Sequence, residues 1–227
     1  MASMSNVTAE WESRYREGYG NRYPYDEIVT FICRFARSQR PGVPRVLDVG
    51  CGSGNHLEVL KNEGCDFYGI DGSETAVKAA AARVGSPEKI ACASFDAMPF
   101  EANFFDAAID RMSIMCTPRR VGLASIAEVN RVLKPGGKFL FTCLTDEDDR
   151  FVHATAEQDG FVTDVADHVK RQVAFRGYQF YGLAEVKRMF SADHNWRIGQ
   201  LKLTRDETLW PERLSLCSLM LLAEKQR

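Results

Sequence analysis

Short apolar segments alternate with longer segments of helical spacing through much of the chain. The apolar segments predict strands at 45–49, 67–70, 89–93, 105–110 and 138–143. Between them, apolar residues three and four apart predict helices at 53–62, 73–84 and 119–133. Strands that alternate with helices pair in parallel through right-handed crossovers. The pattern therefore predicts an α/β fold with a doubly wound, Rossmann-like sheet and helices on both faces.

The segments on either side of this alternation are less regular. Ile28, Phe31 and Ile32 recur at helical spacing and predict a helix ahead of a linker with two prolines at 40–45. After residue 145, an acidic loop and an irregular stretch precede a predicted helix and two late strands, at 183–190, 196–204 and 214–224. The last of these, LSLCSLMLLAEK, is almost continuously apolar, which is typical of a strand buried on both faces.

Composition and charge narrow the class of protein. A chain of 227 residues that is 45% hydrophobic suits one domain with a sizeable core. The formal charge of −2 argues against broad attraction to nucleic acid or to an anionic membrane. No apolar run of about 18 residues predicts a membrane span, and the polar N-terminus resembles neither a signal nor a transit peptide. We therefore expect a cytoplasmic protein, a monomer or homodimer, whose partner is a small molecule.

The seven cysteines are scattered and include no CxxC pair. Several stand inside apolar runs, where a reduced thiol behaves as a small hydrophobic group. The cysteine pattern favours a reducing compartment, and we expect no metal site.

A glycine-rich turn follows the first predicted strand. Gly50, Gly52 and Gly54 form G-x-G-x-G, which differs from the G-x-G-x-x-G of dinucleotide folds because Asn55 takes the last position. Glycines at such a turn let the backbone approach a ligand, and the following helix N-terminus favours an electron-rich group. Asp71 ends the second strand about 20 residues after Gly50, where a carboxylate can accept the hydroxyls of a ribose.

Two further acids distinguish the candidate ligands. Asp48 lies two residues before Gly50, where its charge would repel a pyrophosphate. Asp96 follows the third strand, where its carboxylate could accept from an adenine amino group. An adenosine ligand with a cationic centre and no phosphate suits these acids. S-adenosyl-L-methionine is such a ligand.

Four motifs in order carry a family resemblance between residues 45 and 145. VLDVGCGSG, GIDGSE, FDAMPFEANFFDAAID and RVLKPGGKFLF resemble a class I S-adenosylmethionine-dependent methyltransferase of the broad domain 11/25 type, in its small-molecule branch. The resemblance implies a seven-stranded sheet whose last strand is antiparallel. It also implies one domain over 1–227, with a helical cap or lid at 1–40, a cofactor-binding core at 45–145, and a substrate-side segment with the last strands at 146–227.

The resemblance also assigns roles to individual residues. The glycines of the turn pass along the methionine and ribose, and Asp48 helps to orient the amino group of the ligand. The remaining assignments are Asp71 to the ribose, Gly72 and Ser73 beside the adenosine, Asp96 to the adenine amino group, Ala97 and Met98 near the ring, Arg111 at the methionine end or substrate, and Asp106 as a structural acid. Simpler alternatives stay open: Asp71 as a helix cap, Asp96 as a turn acid, and Arg111 as a structural partner of Asp110 or Asp146.

Methyl transfer from a sulfonium demands alignment of the acceptor more than acid–base chemistry. A general base is needed only for a hydroxyl or a protonated amine, so the catalytic residues are unknown from sequence, with His153, Tyr181 and Arg111 as candidates. Aromatic residues and arginines crowd the segment 11–25, which suits a cap over the site. We expect methyl transfer to an O or N atom of a small-molecule acceptor. The alternatives are a non-catalytic S-adenosylmethionine-binding subunit of a larger complex and, third, a nicotinamide dehydrogenase.

Overall fold

A seven-stranded sheet lies at the centre of the computed structural model, which describes residues 4–36, 42–157, 159–170, 177–209 and 213–226. The ends of the predicted cap, residues 1–3 and 37–40, lie outside the described residues. The sheet is built from β1 Arg45–Val49, β2 Asp66–Asp71, β3 Ile90–Cys92, β4 Phe105–Arg111, β5 Leu133–Leu144, β9 Trp196–Thr208 and β10 Leu214–Lys225. A smaller sheet contains β6 Ala154–Ala156, β7 Phe161–Val165 and β8 Tyr178–Gln179.

The strand order of the large sheet is β3-β2-β1-β4-β5-β10-β9. β1 pairs in parallel with β2 and β4, β2 with β3, and β4 with β5. β10 is antiparallel to both of its neighbours, β5 and β9. The predicted doubly wound sheet with an antiparallel last strand is therefore confirmed.

Helices cover both faces of the sheet. The α-helices are α1 Met4–Arg16, α2 Asp26–Phe31, α3 Asn55–Asn62, α4 Glu74–Val84, α5 Arg119–Val132, α6 Asp149–Val152, α7 Asp167–Lys170 and α8 Leu183–Met189, with a π-helical turn at Ile32–Ala36 after α2. Side chains of a strand alternate between faces. In β5, Phe139 and Phe141 join the core on one face, and Leu140 joins the core on the other. Among the described residues, none of the helices has the length and apolar character needed to cross a membrane.

The strand register gathers acidic residues at one edge of the sheet. Val49, near the end of β1, pairs with Ile70 on one side and with Asp110 on the other. Because β1, β2 and β4 are parallel, Asp48, Asp71 and Asp110 all lie near the carboxyl ends of neighbouring strands. β1 is followed in sequence by β2, its neighbour on one side, whereas its neighbour on the other side is β4. The strand order reverses at β1, and open α/β sheets bind ligands at the carboxyl ends of the strands at such a switch point.

The small sheet is the main departure from the predicted elements. Residues 146–181 were expected to be irregular, yet β6, β7 and β8 pair antiparallel there. These strands contain three, five and two residues, too few for an alternating apolar pattern to be recognised. β8 leads directly to the buried Tyr181, so the small sheet fixes the segment that continues into α8.

Asp106 supports the fold at the opposite edge of the sheet, in agreement with the structural role expected for it. Its Oδ2 accepts from the Arg45 backbone N at 2.9 Å, and its Oδ1 accepts from Lys134 Nζ at 2.9 Å. One carboxylate therefore joins the starts of β1 and β4 to the turn that precedes the regular part of β5.

We expect Asp106→Ala to lower the free energy of unfolding by about 2 kcal/mol, the usual scale for hydrogen bonds to a charged group. Urea unfolding followed by circular dichroism measures this change. Glu101→Ala, at an exposed position, serves as the matched control and should change stability by less than about 0.5 kcal/mol. Equal free energies of unfolding for the two variants would contradict a structural role for Asp106.

Candidate active site

A cavity of about 520 Å³ opens at the carboxyl edge of the sheet. Its wall comes from the glycine turn, the turn between β2 and α4, the segments after β3 and β4, and the N-terminal cap. Of the predicted site residues, those in the wall are Gly50, Gly52, Asp71, Gly72, Ser73 and Arg111. The sequence therefore identified residues from three separate strand ends that share one cavity.

The glycine turn needs glycine for both conformation and space. Gly50 and Gly52 have φ angles of +73° and +52°, a region that other residues rarely adopt. A Cβ on Gly52 would lie 2.6 Å from the hydroxyl oxygen of Tyr15, and a Cβ on Gly50 would collide with Ser113. A side chain at either position would therefore fill space at the wall of the cavity.

Asp71 binds two backbone segments of the site. Its Oδ2 accepts from Gly52 N and its Oδ1 from Ser73 N, both at 2.9 Å. Burial raises the pKa of Asp71 to about 6, although the backbone donors oppose that rise. The N-cap of α4 is Ser73, whose Oγ accepts from Ala76 N at 3.1 Å, so the capping role belongs to Ser73 rather than to Asp71. Each Asp71 oxygen still has a lone pair to offer a ligand hydroxyl.

Two more carboxyl groups are buried beneath the cavity. Asp48 lies next to His56, with Oδ2 3.3 Å from Nδ1, close enough for an ion pair but not aligned as a hydrogen bond. Asp110 accepts from Ser113 N and Ile114 N through Oδ1. Among the described residues, Asp110 Oδ2 and His56 Nε2 have no hydrogen-bond partner. Burial raises the pKa of Asp110 to about 7. The floor of the site thus holds buried carboxyl groups whose hydrogen-bonding capacity is only partly used among the described residues.

Arg111 is held by the cap. Its Nε donates to Glu27 Oε1 at 2.8 Å, and its guanidinium lies 3.9 Å from the ring centroid of Tyr25. The ion pair therefore joins β4 to α2, in contrast to the alternative pairing with Asp110 or Asp146. The role expected for Arg111 at the methionine end or the substrate stays a prediction.

Other predicted site residues lie outside the cavity wall. Asp48 and Gly54 lie behind the wall, and Asp96, Ala97 and Met98 follow the part of the loop that forms it. Asp96 accepts from Ser94 Oγ, and the buried Met98 donates its backbone N–H to Glu128 Oε2 at 2.9 Å. The wall after β3 is instead formed by Ala93, Ser94 and Phe95, which come immediately after the strand. The sequence analysis did not select these three residues, although their position directly after β3 would have indicated them.

The catalytic candidates occupy three different environments. His153 is exposed at the end of α6 and does not line the cavity. Tyr181 is fully buried against Phe141, and its hydroxyl has no hydrogen-bond partner among the described residues. Burial raises the pKa of Tyr181 above its usual range. Arg111 is the one of the three that reaches the cavity.

Several residues of the cavity wall were not among the predicted site residues. Met112, directly after β4, has a φ of 58°, a conformation that is costly for a non-glycine residue and concentrated at functional sites. Its backbone N–H donates to Thr142 Oγ1 at 3.0 Å, which holds this turn. Arg150 and Tyr178 also join the wall, and Asp148 binds Arg150 through both carboxylate oxygens at 2.8 Å. No local sequence signal marked Met112 or Arg150, whereas Tyr178 lies in the aromatic segment GYQFYG, which the sequence suggests as part of a pocket.

The cap, residues 4–36, lies across the mouth of the cavity. Trp11, Tyr15 and Tyr19 recur every four residues, and their neighbouring ring centroids are 5.6 to 6.3 Å apart. The Arg14 guanidinium lies 5.0 Å from the Trp11 ring centroid. These three aromatic rings all line the cavity, as does Tyr25. The cap therefore supplies an aromatic wall opposite the acidic floor.

Comparison with known proteins agrees with this geometry. The methyltransferase domain family matches residues 47–141, from β1 to β5. Residues 47–141 form a class I S-adenosylmethionine-dependent methyltransferase domain. The cofactor of this domain is S-adenosylmethionine, and the recognition made from the four motifs is confirmed.

Curated relatives match this chain over part of their length. An uncharacterized protein of Methanocaldococcus jannaschii is 33% identical over 150 residues, which cover 60% of this chain and 56% of that protein. Demethylmenaquinone methyltransferase of Staphylococcus aureus is 36% identical over 105 residues, which cover 44% of this chain and 42% of that protein. The chain thus matches about half the length of these two relatives.

A solved structure shows the same fold over nearly the whole chain. It is the 1,6-didemethyltoxoflavin-N1-methyltransferase of Burkholderia thailandensis, with 1,6-didemethyltoxoflavin and S-adenosylhomocysteine bound. The TM-score is 0.69 at 17% identity, over 100% of this chain and 92% of that chain. The methyltransferase fold therefore extends beyond the matched residues 47–141 into the cap and the last strands.

The residues present fit S-adenosylmethionine. Positive φ angles at Gly50 and Gly52 keep side chains out of the turn, and Asp71 retains acceptor capacity toward the cavity. Among the described residues, Asp48 and Asp110 have buried oxygens without a hydrogen-bond partner, which suits a ligand that carries positive charge without phosphate. Phosphates would meet like charge at this floor.

The buried acids predict a pH-dependent preference for the sulfonium cofactor over its neutral thioether product. The raised pKa values of Asp71 and Asp110 mean that both carboxyls lose protons as pH rises through about 6 to 7. The added negative charge should favour the cation, and one pKa unit corresponds to roughly tenfold in affinity. Calorimetry with S-adenosylmethionine and S-adenosylhomocysteine at about pH 5.5 and pH 8 measures the affinity ratio, which we expect to rise roughly tenfold.

Asp110→Asn provides the control for this pH effect. The amide oxygen can still accept from Ser113 N and Ile114 N, while the titrating charge is removed. The pH dependence should therefore shrink in this variant. An affinity ratio that is equal at both pH values in the unaltered protein would contradict an electrostatic role for the floor.

Proposed function

We propose that this protein transfers the methyl group of S-adenosylmethionine to an oxygen or nitrogen atom of a small-molecule acceptor. The observation that carries the proposal is the single cavity shared by the glycine turn, Asp71, the aromatic cap and the substrate-side residues Arg150 and Tyr178. A cavity of about 520 Å³ under a cap suits a small acceptor beside the cofactor. The bound small molecule in the Burkholderia thailandensis enzyme supports the same class of acceptor.

The protein's part in the reaction would be binding and alignment. When bound, the cofactor supplies a methyl group on a sulfonium for in-line displacement. Asp71 would accept the ribose hydroxyls, and the Gly50–Gly52 backbone would pass along the ligand. Asp48 and Asp110 would favour its positive charge from below. With the methyl group and the acceptor atom aligned in this way, the reaction would need little additional catalysis, because positioning alone can lower the activation barrier substantially.

The acceptor would lie under the cap. Tyr15, Tyr19 and Tyr25 offer aromatic faces there, with Met112 and Leu144 as apolar wall. Such a surface suits a planar or aromatic acceptor and excludes water when the cap is closed. His153 and Tyr181 lie outside this wall, so an acceptor that needs no strong base, such as a neutral amine or an acidic hydroxyl, suits the site best.

The free cysteines and the net charge support a cytoplasmic location and a small-molecule acceptor. All seven cysteines are free thiols, which is consistent with action in the cytoplasm. The net charge of −2 supports a small-molecule acceptor over nucleic acid. The protein would act as a monomer or homodimer.

An acceptor screen tests the function directly. The purified chain is incubated with S-adenosylmethionine and panels of amines, hydroxyls and thiols, and S-adenosylhomocysteine is quantified. We expect turnover with planar amines or acidic hydroxyls. Turnover restricted to thiols, or none with any acceptor despite cofactor binding, would contradict the proposal.

Asp71→Ala should lower S-adenosylhomocysteine affinity by about one to two decades, because hydrogen bonds to a charged group are worth roughly 1.5–3 kcal/mol. Calorimetry measures the loss, and circular dichroism checks that the sheet is intact. Asp193→Ala, at an exposed position remote in sequence from the site, is the control and should bind normally. A loss of less than about threefold would limit Asp71 to holding backbone segments.

A further inference from the structure

The cap is attached to the sheet domain by polar contacts at several points. Arg83 of α4 donates to the carbonyls of Asn21 and Arg22 at 3.1 and 3.3 Å. Asn55 Nδ2 donates to the carbonyl of Tyr23 at 3.0 Å. These bonds, with the Arg111–Glu27 pair, fix the part of the cap from residue 21 onward. They do not extend to α1, whose Trp11 packs against the hydrophobic core and whose polar attachment to the sheet domain is separate.

Glu12 makes that attachment. Its Oε2 accepts from Ser73 Oγ at 2.6 Å and from Thr75 N at 3.2 Å, and its Oε1 accepts from Thr75 Oγ1 at 2.6 Å. Thr75 lies in the first turn of α4, where backbone N–H groups lack helical partners and a negative charge is favoured. The carboxylate of one helix therefore caps the start of another helix that is more than 60 residues away in sequence.

The contact is shielded and stays charged. The Glu12 side chain is only 19% exposed. Hydrogen bonds from Ser73 and Thr75 lower the pKa of Glu12 to about 2. The attachment therefore persists across the pH range in which Asp71 and Asp110 titrate. In the described part of the chain, the other polar side-chain contacts of α1, namely Ser13–Glu17, Arg16–Glu12 and Arg14–Glu10, lie within the cap itself.

Ser73 links this contact to the cofactor site. Its backbone N–H donates to Asp71 Oδ1, and its hydroxyl donates to Glu12 Oε2. The position of Glu12 in turn sets its neighbours on the same helix. Trp11 and Tyr15 line the cavity, and the Tyr15 hydroxyl lies at the glycine turn, where a Cβ on Gly52 would be 2.6 Å away.

We propose that Glu12 is a positioning residue for methyl transfer, which holds Trp11 and Tyr15 over the cavity by binding the first turn of α4. The proposal rests on the proposed function. Glu12 does not line the cavity and acts through α1. Without the contact, α1 swings away from the mouth while the rest of the cap stays attached through Arg83 and Asn55. Water then enters the site and the acceptor loses one wall.

The test removes the contact from each side. Glu12→Ala removes the carboxylate, and Thr75→Val removes one donor with little change of shape. Glu17→Ala is the matched control in the same segment, because Glu17 is exposed and accepts from Ser13 within the cap. Hydrogen exchange across residues 9–19, S-adenosylhomocysteine affinity, thermal unfolding and the kcat and KM for the acceptor are measured on the full chain.

We expect faster exchange in residues 9–19 for Glu12→Ala and Thr75→Val, with the unfolding temperature of the domain nearly unchanged. The kcat should fall about tenfold or more, whereas cofactor affinity should fall less. Because both substitutions break one contact, the double variant should be little worse than Glu12→Ala alone. Glu12→Gln, which keeps an acceptor oxygen, should recover part of the activity.

Unchanged exchange in residues 9–19, or additive effects in the double variant, would overturn the proposal. A loss of kcat matched by an equal loss of unfolding temperature would also overturn it, because Glu12 would then be merely structural. Exchange and cofactor affinity need no acceptor. If they respond as expected while the unaltered protein methylates nothing, the proposed function fails and the attachment of the cap by Glu12 stands.

Discussion

One buried carboxylate, that of Asp71, sets the geometry of the site. It accepts from Gly52 N on one side and Ser73 N on the other, and so joins the turn after β1 to the start of α4. Both bonds are inside a buried region, where an unpaired backbone N–H would be costly. The position of the glycine turn, the direction of α4 and, through the Ser73 hydroxyl, the place of the cap all depend on this group.

The charge distribution follows from the same arrangement. Parallel strands end together, so acids near the ends of β1, β2 and β4 meet beneath one cavity. Burial makes their ionised forms expensive, which raises the pKa values of Asp71 and Asp110. The ionised carboxyl groups are unfavourable when the cavity holds only water. A bound cation makes their ionised forms favourable. We infer that this arrangement favours a positively charged cofactor.

The sequence predicted best those site residues that lie close to the end of a strand. The periodicity of 45–145 predicted the strands, and the glycine turn and Asp71 followed from their position after β1 and β2. Ala97 and Met98 were placed beside the ligand, yet the cavity wall is formed by Ala93, Ser94 and Phe95, because the path of a loop is not encoded in hydrophobic spacing. The contact of Glu12 with Thr75 joins segments that are distant in sequence, and the hydrophobic periodicity of the chain gives no sign of it.

The most direct test of this account is a crystal structure of the protein with S-adenosylhomocysteine. We expect the ribose hydroxyls within hydrogen-bonding distance of the Asp71 carboxylate, the thioether above Asp48 and Asp110, and the Tyr15 ring over the ligand. A ligand bound elsewhere, or a ribose that makes no contact with Asp71, would contradict the claim that this carboxylate organises both the backbone and the cofactor.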